Sequence, residues 1–278
     1  MTYRNMAVKV GNVNKPLLAN TVNIDFSTQN QINRQLAANI DPDDQLRFDG
    51  ALDCKISFDF VVRSSQDSYD ALNFLFDSYQ STGQSALTLY VGGNTYNVSY
   101  LDSYSFTVKP FEPVIGNASF SCFRPSPTTT DLLGSQSLDV DAVLDTDNII
   151  YGHDCVLQNA GNVVASNLVS NITYSKTYSR TPVYTLGSTR ATSQLLDGVE
   201  VNMNVDSTGL NSLIDYDGNK LTSDFGVLLE DRSNSGISYN SSDFDLTVSS
   251  GAYVVSEGYS VNGGDTLVTK ASIKEVIL

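Results

Sequence analysis

The chain reads as an all-β protein with minor helix, and three observations predict this. Tyr (15) and Phe (12) are abundant beside Val, Ser, Thr, Asn and Gly, while Trp is absent, a mixture that favours pleated strands and polar turns. Two runs alternate apolar and polar residues with the period of a half-buried strand: Leu52, Cys54, Ile56, Phe58 and Phe60, and Val199, Val201, Met203 and Val205. Each run follows an Asp-Gly pair, and the two glycines, Gly50 and Gly198, stand 148 residues apart, so the chain repeats itself. With 278 residues, 41% of them hydrophobic, there is room for one large β domain or two of about 140 residues, and ample apolar content for a packed core.

The elements follow in order. "VKVGNVNKPLLANTVNIDFS" from Val8 lies without a gap over "VLQNAGNVVASNLVSNITYS" from Val156, with identities at Val8/Val156, Asn14/Asn162, Asn23/Asn171, Ile24/Ile172 and Ser27/Ser175. Phe26 and Tyr174 match conservatively. Beyond the Asp-Gly pair the alternation slips by one residue between the copies. Strand faces have period two, so a bulge or turn near the glycine must absorb the slip. Next, Tyr69, Leu72, Leu75/Phe76 and Tyr79 recur at helical spacing, with Ser64 as cap and Gly83 as stop, predicting a helix over residues 66–80. A shorter one is expected around Leu210, Leu213 and Ile214. "ALTLYV", Gly92-Gly93 and "NTYNVSY" form a hairpin signal, and "FDLTV", Gly251 and "AYVVSEGYSV" stand in the matching place. Both copies close on a further strand pair. The expected organisation is a first module at 1–124, an acidic Pro/Ser/Thr linker at 125–154 and a second module at 155–278. Within the linker Leu138, Val140, Val143, Leu144, Ile149 and Ile150 suggest packing along the modules.

Composition excludes several functions. Sixteen Lys+Arg against 31 Asp+Glu give a formal charge of −15, which disfavours gripping nucleic-acid phosphates or an anionic membrane. The three cysteines, Cys54, Cys122 and Cys155, lack Cys-x-x-Cys spacing and read as buried free thiols of a reducing compartment. "MTYRNMAVKV" has no apolar signal-peptide core and no run reaches the roughly 18 apolar residues of a spanning helix, so folding in a cytosol is expected. His153 is the lone histidine, beside Asp154 and Cys155; neighbours on an extended chain point apart, so it reads as a turn residue and not a catalytic base. Asp41, Asp43 and Asp44, and Asp215, Asp217 and Asn219, cluster oxygens without a calcium-loop pattern, leaving at most a weak cation site. No catalytic, cofactor or metal residue is expected.

The order of elements resembles the bacteriophage tail tube family. The resemblance is carried by "NTVNIDFS" with "QLRFDGALDCKISFDF", the helix, "LTLYVGGNTYNVSY" with "YSFTV", and in the second copy "VSNITYSK" with "QLLDGVEVNMNVD" and the strands to Leu278. It implies two tandem β-sandwich/barrel modules, each with one flanking helix and a long hairpin loop. It also implies a structural virion protein without enzymatic activity, assembled in the host cytoplasm into stacked rings alongside other tail proteins. DNA would pass through the channel unbound, and no membrane is involved. Two modules per chain make either trimeric pseudo-hexameric or hexameric rings. The alternative from another class is a two-domain adhesin recognising host-surface glycan.

The resemblance also implies where rings touch. The long connections at residues 28–45 and 176–194 occupy matching places in the two copies, and connections above about 12–15 residues are usually functional or disordered. The candidate contact residues are Ile32, Arg34, Leu36, Ile40 and Asp44 in the first, and Tyr178, Val183, Tyr184, Leu186 and Arg190 in the second.

Overall fold

A computed structural model describes residues 7–10, 17–28, 31–32, 47–48, 52–64, 72, 87–91, 94–126, 148–160, 162–163, 169–186, 191–208, 214, 216–230, 238–239, 246–260 and 268–277. The first half holds β1 (Ala7–Val10), β2 (Leu17–Thr28), β3 (Gln31–Ile32), β4 (Arg47–Phe48), β5 (Leu52–Val61), β6 (Arg63–Ser64), β7 (Leu87–Val91), β8 (Asn94–Val108) and β9 (Ile115–Ser126). β10 (Asn148–Ile149) and a 3-10 turn, Gly152–Asp154, lead into the second half. There follow β11 (Val156–Asn159), β12 (Asn162–Val163), β13 (Val169–Tyr184), β14 (Ala191–Thr208), β15 (Tyr216–Asp217) and β16 (Lys220–Leu221). The chain ends with β17 (Phe225–Glu230), β18 (Ser238–Tyr239), β19 (Thr247–Val248), β20 (Tyr253–Ser260) and β21 (Val268–Ile277). The protein is almost wholly antiparallel β. Of the helix expected over residues 66–80, only Leu72 lies among the described residues; its backbone is helical and its side chain is buried.

Strand pairings in the first half close on themselves: β8 pairs β7, then β1, β2, β5 and β9 follow, and β9 returns to β8. Such closure makes a barrel, although β1 and β2 meet only at Leu17 and Leu18 and the rest of β2 has no described second neighbour. Its alternating residues point inward, so Ile56, Phe58, Phe60, Phe106 and Phe120 fill the interior at ring distances near 6 Å. Gly116 is required there, because a Cβ at that position would land in the Phe60 ring.

The second half follows the same succession. β17 pairs both β11 and β19, as β7 pairs both β1 and β8, while β13, β14, β21 and β20 lie side by side as do β2, β5, β9 and β8. Ile24 faces Ile56, and Ile172 faces Val205, so the one-residue slip seen in sequence is present in the ladders. In the second half Ser179 pairs Gly198 while Arg180 pairs Leu196, leaving Asp197 as the extra residue of a bulge. The first half shifts by the same one residue between Thr28/Leu52 and Gln31/Phe48, so the slip persists beyond the glycine and is not absorbed there. At Gly251 the backbone turns with φ +89°, yet β19 and β20 do not pair each other; each joins a different ladder. The two halves share one sheet, because β8 carries β9 along one edge and, from Ser103 to Val108, β13 along the other.

The interval expected as a linker from residue 125 is strand at its start and bound at its end. Pro125 and Ser126 still pair with β8, and Asn148–Ile149 pairs Arg63–Ser64. Ile150 is buried, its N–H donating to the Val62 carbonyl while its own carbonyl accepts from Val114. Residues 127–147, with most of the interval's acids, lie outside the described residues. The buried apolar residues of both halves form one continuous cluster.

Candidate assembly surfaces

Eight strands, in the order β2, β5, β9, β8, β13, β14, β21 and β20, make one uninterrupted sheet with two unlike faces. The inward face is the core. One row across the outward face reads Thr21, Asp59, Asn117, Ser105, Ser175, Asn202, Lys274 and Tyr253. Its neighbour reads Asn23, Ser57, Ser119, Ser103, Thr177, Glu200 and Val276. Small polar side chains thus run from the first half to the second without a break. Two bonds stitch them across strands, the Asn117 amide donating to Asp59 at 2.5 Å and Asn204 to the Thr173 hydroxyl at 3.2 Å, while along β14 Asn202 donates to Glu200 at 2.8 Å. Lys274 Nζ lies 2.8 Å from Glu200, and these contacts hold the Glu200 carboxyl below its usual range. Among the described side chains acids outnumber bases on this face, with Asp25, Asp59, Asp102, Glu200 and Asp206 against Lys55, Lys270 and Lys274.

A two-stranded ribbon projects from this sheet. The interval at residues 176–194, read from sequence as a long connection, is instead ladder: β13 and β14 stay paired out to Tyr184 and Ala191. β13 leaves β8 at Thr177, so residues 178–184 extend roughly 23 Å beyond the shared sheet at about 3.3 Å per residue. The bulge at Asp197 reverses the faces of β14 along this ribbon. Gln194 therefore turns inward and is buried, while Leu195 turns out and is exposed. In the first half, β3 and β4 prolong the β2–β5 ladder in the same direction of chain, Ile32 facing Arg47.

Arg180 anchors the ribbon where β8 and β13 part. Its guanidinium lies 5.5 Å from the Tyr100 ring and 5.4 Å from the Tyr178 ring, and its Nε donates to the Leu101 carbonyl at 3.2 Å. A cleft of about 380 Å³ opens beside it, lined by Asp102, Ser121, Thr177 and Gln194 among others. Burial pushes the Asp102 carboxyl above its usual range, against the hydrogen bond from Ser121 and the charge of Arg180. No protein-family model matches the chain, and no curated protein matches it.

The structure separates the residues expected to make contacts. Leu186 is fully exposed at the ribbon tip, with Tyr184 exposed and Val183 half-buried beside it. Tyr178 is buried at the ribbon's base, where its ring lies against the Arg180 guanidinium. Ile32 has a described backbone in β3; Arg34, Leu36, Ile40, Asp44 and Arg190 lie outside the described residues. Arg180, Tyr100 and Asp102 were missed, because partners 79 residues apart leave no local signal. His153 lies exposed on the 3-10 turn, stacked with Phe111 and Tyr151. Cys155 donates to the Tyr151 carbonyl. Cys54 and Cys122 face each other on β5 and β9 as buried free thiols, and that contact and burial push the Cys122 thiol up. Among the described residues no three metal-binding side chains converge, and no helix is long and apolar enough to cross a membrane.

Proposed function

We propose that the chain is a structural virion protein of the tail-tube kind, a tandem duplication whose copies assemble into stacked rings around a DNA channel. One observation carries this reading: a single polar sheet face spans both halves, with ribbons prolonging its ladders at matching places. Such a face suits a channel wall. It offers hydroxyls, amides and more acids than bases, with no stripe of Lys and Arg among the described residues on which phosphates would dock. The ribbon tip suits the next ring, since Leu186, Tyr184 and Leu195 expose apolar surface that burial would stabilise by about 25 cal/mol per Å². In this reading the protein has no catalytic step, and its partners are its own copies and other tail proteins.

Electron microscopy of the purified chain tests this directly. Rings and stacks with the polar face inward are the expected result. Replacing residues 185–190 by a Gly-Ser turn should leave rings that no longer stack. Monodisperse particles at all concentrations, or normal tubes from the shortened chain, would overturn the proposal.

A further inference from the structure

The shared sheet ends in two unlike edges. β2 meets β1 only at Leu17 and Leu18, so from Ala19 to Thr28 no described strand lies along its second edge. β20 meets β16 at Tyr253, and the Val254 N–H donates to the Asn219 carbonyl, so from Val255 to Ser260 no described strand lies along that edge. A strand edge without a neighbouring strand can take one through its backbone N–H and C=O groups.

The molecule contains a pattern for what belongs there. At its centre β8 of the first half pairs β13 of the second, and ladder register gives each residue its counterpart. β13 corresponds to β2 at the 148-residue offset, so Tyr174, Ser175 and Lys176 match Phe26, Ser27 and Thr28. β8 corresponds to β20 through the strand each pairs next: Tyr104 faces Ala118 as Tyr259 faces Thr269, and Ser105 faces Asn117 as Ser260 faces Val268. The sequence agrees, with "SYS" at 103–105 and "GYS" at 258–260. The two tyrosines differ only in cover. Tyr104 is 1% exposed, its ring 6.1 Å from Tyr174 across the joint, whereas Tyr259 is 57% exposed at the open edge.

We infer that β20 of one copy pairs antiparallel with β2 of the next, repeating the internal β8–β13 joint between chains. Tyr104 pairs Lys176 and Ser105 pairs Ser175 within the chain, so Tyr259 pairs Thr28 and Ser260 pairs Ser27 between chains. Tyr259 is then covered by the β2 segment containing Phe26. Because the two edges differ, the contact is head-to-tail, and each copy adds eight strands to a sheet that closes when the rotation does. The inference rests on the ring reading for that closure and on the internal joint for the register.

Two adjacent register pairs are needed as a test, since antiparallel pairs alternate between closer and wider Cα spacings and disulfides need close ones. The double variants Ser27→Cys/Ser260→Cys and Thr28→Cys/Tyr259→Cys are oxidised and run on non-reducing gels beside the oxidised wild-type chain. Mixtures of the corresponding single variants run alongside. The expected result is linked oligomers from at least one double variant, linked dimers from its mixture, and none from either single variant alone. A chain that stays monomeric and unlinked overturns the pairing. Rings by microscopy without links in either register also overturn it while leaving the ring reading intact. Linked oligomers that never stack support the pairing and defeat the tail-tube reading instead.

Discussion

Phe120 in the first half and Ala271 in the second hold the same register place, opposite Ile56 and Val205 respectively. Around Phe120 the interior is aromatic, with Phe58 stacked 6.0 Å away at an interplanar angle of 8°. On β14 and β21, the strands that carry Ala271 and its partner, the buried residues are aliphatic or thioether, Val201, Met203, Val205 and Ile273, with Tyr174 of β13 opposite Met203. Strand order and register are alike in both halves while the filling differs. Alternation and turn chemistry therefore set the ladders, and any side-chain set of matching total volume fills them. The repeat survives in sequence where backbone geometry demands it, at Asp-Gly and Asn-Ile, and fades where only volume counts.

The largest test of that contrast is Phe120→Ala, which writes the second half's residue into the first. Its ring is wholly buried among rings too rigid to collapse, so a loss of about 3–5 kcal/mol is expected by denaturant unfolding. A loss below about 1 kcal/mol would mean that the halves tolerate each other's filling. Next comes Gly116→Ala, where the new methyl must displace the Phe60 ring; overpacking of this kind costs about 1–3 kcal/mol. Gly258→Ala, on the edge strand where nothing lies within 4 Å of an added Cβ, is the control and should fall within about 0.5 kcal/mol of wild type.

A smaller effect distinguishes the halves electrostatically. Asp102 is held above its usual pKa by burial, so the folded state binds its proton more tightly than the unfolded chain. Its contribution is favourable at low pH and is lost as pH rises from the ordinary value of 3.8 through the raised one. Asp102→Asn should therefore raise Tm at pH 7 by about 2–4 °C, roughly 1 kcal/mol in a chain of this size, with the gain vanishing below pH about 3.8. The Glu200 carboxyl in the second half shifts the other way, giving stability above its ordinary 4.5 that is lost on acidification, and its exposure keeps that term small. Smallest of all is Leu186→Ser at the ribbon tip. Chain stability should stay within about 0.5 kcal/mol, so any loss of stacking in the same variant reports contact between rings.

Much of this architecture was legible. The period-two runs at Leu52–Phe60 and Val199–Val205 are strands; a bulge does stand at Asp197, but the first half shifts register at the matching place too, so the slip between copies is not what it absorbs. The ribbon was not legible as strand, because Ser179, Thr181 and Pro182 face solvent and alternation needs one buried face to appear. The joint between halves was invisible for another reason. Edge pairing between Ser103 and Thr177 uses backbone groups that every residue carries, so nothing in the side chains announces it.

That joint has a mechanical consequence. The halves are connected through six residue pairs whose hydrogen bonds lie across the strands. A force along the strands loads all of those bonds in parallel, and the joint yields only when they shear together. A force across them opens the joint one pair at a time. The molecule is accordingly stiff along one direction and weak at right angles to it, and pulling on it from different attachment points should give two distinct rupture forces.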